Sequence, residues 1–203
     1  MTWQAPTPRL VLASASASRR TLLERAGLRF SVQPAAVDEA AVKQAARAAG
    51  ASAAETAMLL ADMKAERAAR HDPDALVIGS DQLLVCGNHW FDKPADIAVA
   101  RAQLQALRGQ THELVTAVVC LGFGRRVWQH VARPRLTMRR FGDAFLDAYV
   151  AAEGDALTHT VGAYRLEGLG VHLFEAVEGE YAAILGLPLL PLLGFLRQHG
   201  VLA

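Results

Sequence analysis

Short apolar segments of strand length alternate along this chain with longer segments whose apolar residues recur at helical spacing. Residues 9–13 (RLVLA) predict a buried strand, and Leu22, Leu23 and Ala26 predict a helix after a serine-rich turn. Strands and helices that alternate in this way usually form a sheet covered by helices. Because no internal repeat of about 20 to 50 residues suggests a solenoid, the alternation predicts an α/β fold with a mixed β-sheet.

The remaining elements follow from turn residues such as Gly87-Asn88, from capping residues such as Asp96 and the pair Ser52 and Glu55, and from the same periodicities. They are predicted as strands at 30–32, 75–79 and 171–177, a hairpin at 85–91, two long strands within 113–138, and helices at 52–70, 96–109, 143–153 and 191–199. We expect the strand at 75–79 to place Ser80 and Asp81 at its C-terminal end.

The length of 203 residues, of which 52% are hydrophobic and 20% charged, allows one sizeable core. We therefore expect a single domain over residues 1–203, with a twisted mixed sheet flanked by helices and two lobes around a cleft. The formal net charge of +1 argues against a protein that binds nucleic acid or an anionic membrane through a general positive field.

The two cysteines, Cys86 and Cys120, form no C-x-x-C pair, so neither a disulfide scaffold nor a structural zinc site is indicated. No segment reaches the roughly 18 uninterrupted apolar residues of a membrane helix, and the N-terminus lacks the layout of a signal peptide. We expect a cytoplasmic protein with neither a membrane nor a nucleic acid as its partner.

The serine-rich turn is the first candidate site. It holds Ser14, Ser16, Ser18, Arg19 and Arg20 between a predicted strand and the start of a predicted helix. Free backbone N–H groups, hydroxyls and guanidinium groups there favour a phosphate ligand. Arginines are unfavourable at the positive end of a helix unless an anion lies nearby. A serine N-cap with a solvated arginine pair is the equally weighted alternative.

Asp81 is the second candidate, because open α/β sheets place ligand and metal groups at the ends of buried strands. A carboxylate there can hold a divalent cation or polarise a water molecule for attack on phosphorus. For an isolated Gly-Ser-Asp segment, an aspartate that starts a turn is the simpler interpretation.

Two lysines occupy unusual places. Lys64 follows Ala57 and Leu60 on an otherwise apolar helical stripe, and Lys93 lies between an aromatic pair and a proline. A buried lysine needs an anionic partner. A side chain that extends to solvent, or an ordinary loop cation, is the simpler alternative for each lysine taken alone.

The segment 162–170 is rich in glycine around one carboxylate, Glu167. It lacks the spacing of a P-loop and the context of a dinucleotide fingerprint. Glu167 is a candidate for reading a nucleobase edge, and a surface turn is the simpler alternative.

Taken in order, these segments resemble the Maf family of nucleotide pyrophosphatases over residues 10–196. The matching motifs are LASASASRRTLL at 12–23, VDE at 37–39, MKA at 63–65, GSDQ at 79–82, DKP at 92–94, LRGQTHELVTAV at 107–118, GAYRLEG at 162–168 and GLPL at 186–189. No single motif is specific to the family, but eight motifs in the family's order and spacing are hard to reach by chance.

The resemblance implies an α/β fold of the Maf and inosine triphosphatase kind. It also implies a house-cleaning hydrolase that cuts the α–β phosphoanhydride of modified or non-standard nucleoside triphosphates to a monophosphate and pyrophosphate. Asp81 matches the family's proposed general base, and Glu39 with Asp81 matches the acidic pair at a divalent cation, Mg²⁺ or Mn²⁺. The family's triphosphate-binding positions correspond here to Ser14, Arg19, Lys64 and Lys93.

The family's base-specificity positions correspond to Ser18, Gln82 and Glu167. The glutamine and the glutamate are shared with the branch similar to 7-methyl-GTP hydrolases, but that branch has Trp in place of Ser18. The base preference therefore stays open between 7-methyl-GTP and other nucleotides. A non-catalytic nucleotide-binding regulator of cell division is the alternative from another functional class. The oligomeric state is not readable from the sequence, and a homodimer stays open.

Overall fold

The computed structural model describes residues 3–203, which form an α/β protein with a mixed sheet. The strands are β1 Leu10–Leu12, β2 Phe30–Val32, β3 Leu76–Cys86, β4 His89–Phe91, β5 Thr111–Gly122, β6 Arg125–Ala132, β7 Arg135–Met138 and β8 Phe174–Glu178. The helices are α1 Ala17–Arg25, α2 Glu39–Ala48, α3 Ala53–Ala69, α4 Ile97–Leu107, α5 Asp143–Glu153, α6 Tyr181–Ile184 and α7 Leu189–Gln198, with short 3-10 segments between α5 and β8. Within residues 3–203, no helix combines the length and the apolar character that crossing a membrane requires.

The chain divides into two compact units, and strands β3 and β5 each contribute residues to both. The first unit contains the chain up to Gln82 together with Thr116–Ala132 and Glu180–Ala203. The second unit contains Leu83–Val115 and Arg133–Gly179. The expected single domain over residues 1–203 stays a prediction.

In the first unit, β1 pairs in parallel with both β2 and β3, and β5 pairs antiparallel with β6. Its core consists of apolar side chains from β1, β3 and β5 with those of α1 and α7, including Leu12, Ile78 and Leu192. Helix α3 approaches β3 closely, because Gly79 has no side chain: a Cβ built there would lie 2.3 Å from the carbonyl oxygen of Ala61. This contact sets the distance between the polar residues of α3 and those of β3.

In the second unit, β3 and β4 form an antiparallel hairpin around Gly87-Asn88, as predicted. Strand β7 pairs antiparallel with β5 and with β8. The imidazole of His112 is 1% exposed and shares a hydrogen bond of 2.8 Å with the hydroxyl of Tyr164. This buried polar pair lies against the ring of Phe174.

Most predicted elements are confirmed, and three predictions are wrong in detail. Strand β3 does not end at Gly79 but continues to Cys86, so Ser80 and Asp81 lie inside the strand. The strand is longer than predicted because its backbone continues in antiparallel pairing with β4 over Leu84 to Cys86. The segment 113–138 contains three strands and not two, because Arg133-Pro134 separates β6 from β7. The strand expected at 171–177 begins only at Phe174, because a 3-10 segment occupies the residues before it.

Candidate functional site

The serine-rich turn joins β1 to the N-terminus of α1. Ser16 is the N-cap of α1, and its side chain accepts a hydrogen bond from the backbone N–H of Arg19. The buried hydroxyl of Ser14 accepts hydrogen bonds from the N–H of Ser16 at 3.2 Å and from Nη1 of Arg19 at 3.1 Å. The first turn of α1 contains no acidic residue that would neutralise the positive end of the helix. The turn therefore keeps its attraction for an anion.

The two adjacent arginines have different surroundings. Arg19 is only 9% exposed, and its Nε donates a hydrogen bond of 2.7 Å to the carbonyl of Gly186. Burial lowers the pKa of Arg19 while the carboxylates of Asp81 and Glu39 raise it, so both acids lie within electrostatic reach of the guanidinium. Arg20 is exposed and pairs with Glu24 on its own helix. The solvated-arginine alternative therefore holds for Arg20 and not for Arg19.

Lys64 lies between two carboxylates. Its Nζ is 2.5 Å from Oδ1 of Asp81 and 2.6 Å from Oε1 of Glu39. Asp81 and Lys64 are both buried, whereas the Glu39 side chain is 40% exposed. The charge on the apolar stripe of α3 is thus paired, as a buried lysine requires. The alternative that Lys64 simply extends to solvent is wrong.

The environment of Asp81 combines burial with two cations. Burial raises the pKa of Asp81 above its ordinary value, and Lys64 and Arg19 act in the opposite direction. Its Oδ1 contacts Lys64, while its buried Oδ2 has no hydrogen-bond partner among residues 3–203. A buried acceptor without a partner is costly and marks a position where a ligand can bind.

A divalent cation is the cofactor that the resemblance implies, and the residues around Asp81 fit such a cation. Oδ2 of Asp81 is an open oxygen ligand, and Glu39 brings a second carboxylate to the same lysine. Mg²⁺ commonly takes one or two protein carboxylates and completes its shell with water and substrate phosphates. Residues 3–203 contain no group of three His, Cys, Asp or Glu side chains suited to a metal. A cation at Asp81 would therefore need water or phosphate as further ligands.

Glu39 is placed by a helix that the sequence patterns did not predict. Asp38 is the N-cap of α2 and accepts a hydrogen bond from the N–H of Ala41, which makes Glu39 the first residue of that helix. The Asp-Glu pair followed by an alanine-rich run was the signal that could have identified this helix start.

Gln82, a predicted specificity position, is engaged within the first unit. Its Nε2 donates to Oγ1 of Thr116 at 2.7 Å and to the carbonyls of Ala183 and Ile184 at 2.9 and 3.1 Å. These contacts occupy the NH₂ group, so a substrate contact from Gln82 would have to use its carbonyl oxygen.

The other predicted positions belong to exposed or partly exposed surfaces. Ser18 is half-buried in the first turn of α1. Lys93 is exposed in the loop between β4 and α4 of the second unit, and Glu167 is exposed in a turn of that unit. Close to Glu167 in sequence, Nε of Arg165 lies 2.9 Å from Oε2 of the buried Glu153.

Of the predicted site residues, the structure brings together five in the first unit: Ser14, Arg19, Glu39, Lys64 and Asp81.

Comparisons with known proteins identify the family of the chain. A sequence profile described as "Maf-like protein" matches residues 9–199. A nucleoside triphosphate pyrophosphatase from Granulibacter bethesdensis is 60% identical over 194 residues, covering 96% of this chain and 98% of that protein. Another from Paramagnetospirillum magneticum is 54% identical over 192 residues, covering 95% and 99%. A 7-methyl-GTP pyrophosphatase from Rhizobium meliloti is 47% identical over 195 residues, covering 96% and 98%. The resemblance inferred from the motifs is therefore confirmed, and this chain belongs to the Maf family.

Proposed function

We propose that this Maf-family protein is a nucleoside triphosphate pyrophosphatase that acts on modified or non-standard nucleotides. The observation that carries the proposal is the buried Lys64 bridging the carboxylates of Asp81 and Glu39, within electrostatic reach of Arg19. The names of two similar relatives, at 60% and 54% identity, support the same activity.

The phosphate chain binds to the cationic and N–H groups of the first unit. The N-terminus of α1, the Ser14 hydroxyl and the guanidinium of Arg19 offer hydrogen-bond donors suited to phosphate oxygens. Lys64 adds a point charge beside the carboxylates. These groups of the first unit stabilise the negative charge that develops on the leaving pyrophosphate. The motif match separately predicts Lys93 as a phosphate-binding residue.

Asp81 acts on the water nucleophile. Its carboxylate accepts a proton from water while the water oxygen bonds to the α-phosphorus and the bond from that phosphorus to the α–β bridging oxygen breaks. The products are a nucleoside monophosphate and pyrophosphate. The contact with Lys64 fixes the carboxylate in one orientation.

A divalent cation bound by Asp81 and Glu39 would neutralise phosphate charge during this reaction. Treatment with a chelator is expected to abolish turnover, and added Mg²⁺ or Mn²⁺ to restore it. Full activity in the chelated protein would exclude a metal requirement.

Product analysis tests the reaction. Purified protein with Mg²⁺ or Mn²⁺ and a panel of triphosphates should release monophosphate and pyrophosphate, resolved by phosphorus NMR. In water enriched in ¹⁸O, the label should enter the monophosphate, because attack is at the α-phosphorus. Release of diphosphate and orthophosphate would refute the proposed cleavage. Tight binding without turnover under either metal would favour the non-catalytic regulator.

The variant Asp81→Asn tests the role of this carboxylate. We expect kcat to fall by about 100- to 10,000-fold, the range typical of a lost general base. The matched control is Asp72→Asn, which removes a carboxylate that pairs with Arg9 on the surface. Circular dichroism should show both variants folded. Near-normal turnover in Asp81→Asn would remove Asp81 from the base role.

A second candidate is a 7-methyl-GTP pyrophosphatase, the name carried by relatives in Rhizobium meliloti and Rhizobium etli at 47% identity. The exposed carboxylate of Glu167 suits the positive charge of a 7-methylguanine base. The test compares kcat/KM for 7-methyl-GTP, GTP, UTP and dTTP in the wild type and in Glu167→Gln. A preference for 7-methyl-GTP that Glu167→Gln reduces supports this candidate, and equal kcat/KM values for 7-methyl-GTP and GTP contradict it.

A further inference from the structure

The backbone carbonyl of Gly186 orients the buried guanidinium of Arg19. It accepts the hydrogen bond from Nε at 2.7 Å, while Ser14 Oγ accepts one from Nη1. These two bonds fix the plane of the guanidinium and leave Nη2 to meet a phosphate oxygen. A Cβ at Gly186 would lie 3.2 Å from Nε of Arg19 and 3.4 Å from Nη2, so the arginine lies directly against the glycine.

Gly186 ends helix α6 in a turn that only a glycine adopts readily. Its φ is +100°, and its N–H donates to the carbonyl of Ala183 while the N–H of Leu187 donates to Ala182. This pair of bonds is the Schellman motif. The carbonyl of Gly186 accepts no hydrogen bond from α6 in this motif, and its donors are the side chains of Arg19 and Ser80.

A serine inside β3 holds that carbonyl. The hydroxyl of Ser80 is fully buried and lies 2.9 Å from the oxygen of Gly186 and 2.8 Å from the oxygen of Ala117. Since a hydroxyl has one proton, it ties the turn after α6 to the neighbouring strand β5 through a single shared donor. Ser80 is also the residue before Asp81, so the same strand positions the carboxylate and the turn that holds Arg19.

We infer that Ser80 is a positioning residue for substrate binding, acting through the Gly186 carbonyl on the orientation of Arg19. This inference rests on the proposed function, in which Arg19 binds the triphosphate. Loss of the Ser80 hydroxyl loosens Gly186, and Arg19 then spends part of its time in orientations that cannot meet the phosphate. The consequence is weaker binding of substrate with little change in the chemical step.

A double-mutant cycle between Ser80 and Arg19 tests the inference. Ser80→Ala is expected to raise KM about 5- to 10-fold, the size of one lost hydrogen bond, with kcat changed less than about 2-fold. In an Arg19→Met background the same serine substitution should raise KM less than about 2-fold, because the group it positions is gone. Calorimetry with an α,β-methylene analogue of the best substrate provides the same cycle as dissociation constants if Arg19→Met is too slow to assay.

Thr116→Val is the matched control, since it also removes a fully buried hydroxyl that bonds to the α6 region, at the carbonyl of Ala183 rather than Gly186. Its effect on KM should be the same with and without Arg19. Gly186→Ala serves if Ser80→Ala does not fold, and it should raise KM with the same dependence on Arg19. A rise in KM from Ser80→Ala that is equally large in the Arg19→Met background overturns the inference, as does an unchanged KM. If the wild type releases no pyrophosphate, the proposed function itself fails.

Discussion

The close approach of α3 to β3 at Gly79 predicts that even a methyl group there destabilises the protein. In Gly79→Ala the new Cβ would lie 2.3 Å from the carbonyl oxygen of Ala61, about 1 Å nearer than the roughly 3.3 Å of close carbon–oxygen contacts. It would also lie 2.8 Å from Cβ of Ala65. Both neighbours belong to a helix without flexible side-chain ends at this point, so the backbone of α3 has to move.

Overpacking in a core typically costs about 1 to 3 kcal/mol, and a backbone contact places Gly79→Ala at the upper end, near 3 kcal/mol. For a protein of this size that corresponds to a fall in Tm of roughly 6 to 12 °C. The displaced helix carries Lys64, so turnover should fall as well. Urea and thermal unfolding followed by circular dichroism measure the change in stability.

Gly194→Ala is the control of opposite sign. Gly194 lies in α7 with no atom within 4 Å of the position of a new Cβ. Alanine is favoured over glycine inside a helix by about 0.5 to 1 kcal/mol, so this variant should be slightly more stable than the wild type. Equal stability of the Gly79→Ala and Gly194→Ala variants would refute the packing argument.

Two further predictions concern the second unit. Burial lowers the pKa of His112 to about 4 from its ordinary 6.5, so on acidification the unfolded chain gains a proton that the folded protein does not. The contribution of His112 to the free energy of unfolding should therefore fall by roughly 2 kcal/mol between pH 7 and pH 5. The variant His112→Phe should remove that part of the pH dependence. An unchanged pH dependence in urea unfolding would contradict this. Arg165→Ala leaves the buried carboxylate of Glu153 without its cation and should cost roughly 2 to 3 kcal/mol, less than a fully buried pair because Arg165 is partly exposed. Arg101→Ala, which breaks a pair with the exposed Asp147, should change the urea midpoint far less, and equal midpoints for the two variants would count against the argument.

The sequence predicted the helices and turns whose signals, such as capping residues and turn residues, lie within a few positions of the element. The Ser52 and Glu55 capping box opens α3, Asp96 caps α4, and Gly87-Asn88 forms the two-residue hairpin. Each of these signals acts between residues only a few positions apart, so the sequence alone is enough to predict these elements. The strand that contains Asp81 was predicted too short, because its continuation to Cys86 depends on partners from distant parts of the chain.

Only part of the candidate site was predicted, because some of its contacts join segments that are distant in the sequence. Lys64 on an apolar stripe indicated a buried anionic partner, and the motif order indicated Asp81 and Glu39 as the acids. No periodicity indicated that Gly186 would accept a hydrogen bond from Arg19, since the two residues are 167 positions apart. The hydrogen bonds from Ser80 to Gly186 and from Gln82 to Ala183 likewise join segments that are distant in the sequence.

What the amino-acid sequence by itself determined is the set of elements, the family and the chemical types of the candidate site residues. These follow from short-range propensities, capping and the order of motifs. The tertiary structure alone decided which arginine turns inward, which carbonyl holds it and how Lys64 meets two carboxylates. Those outcomes depend on burial and on backbone positions set by packing, such as the contact of α3 with Gly79, and packing is a property of the whole folded chain.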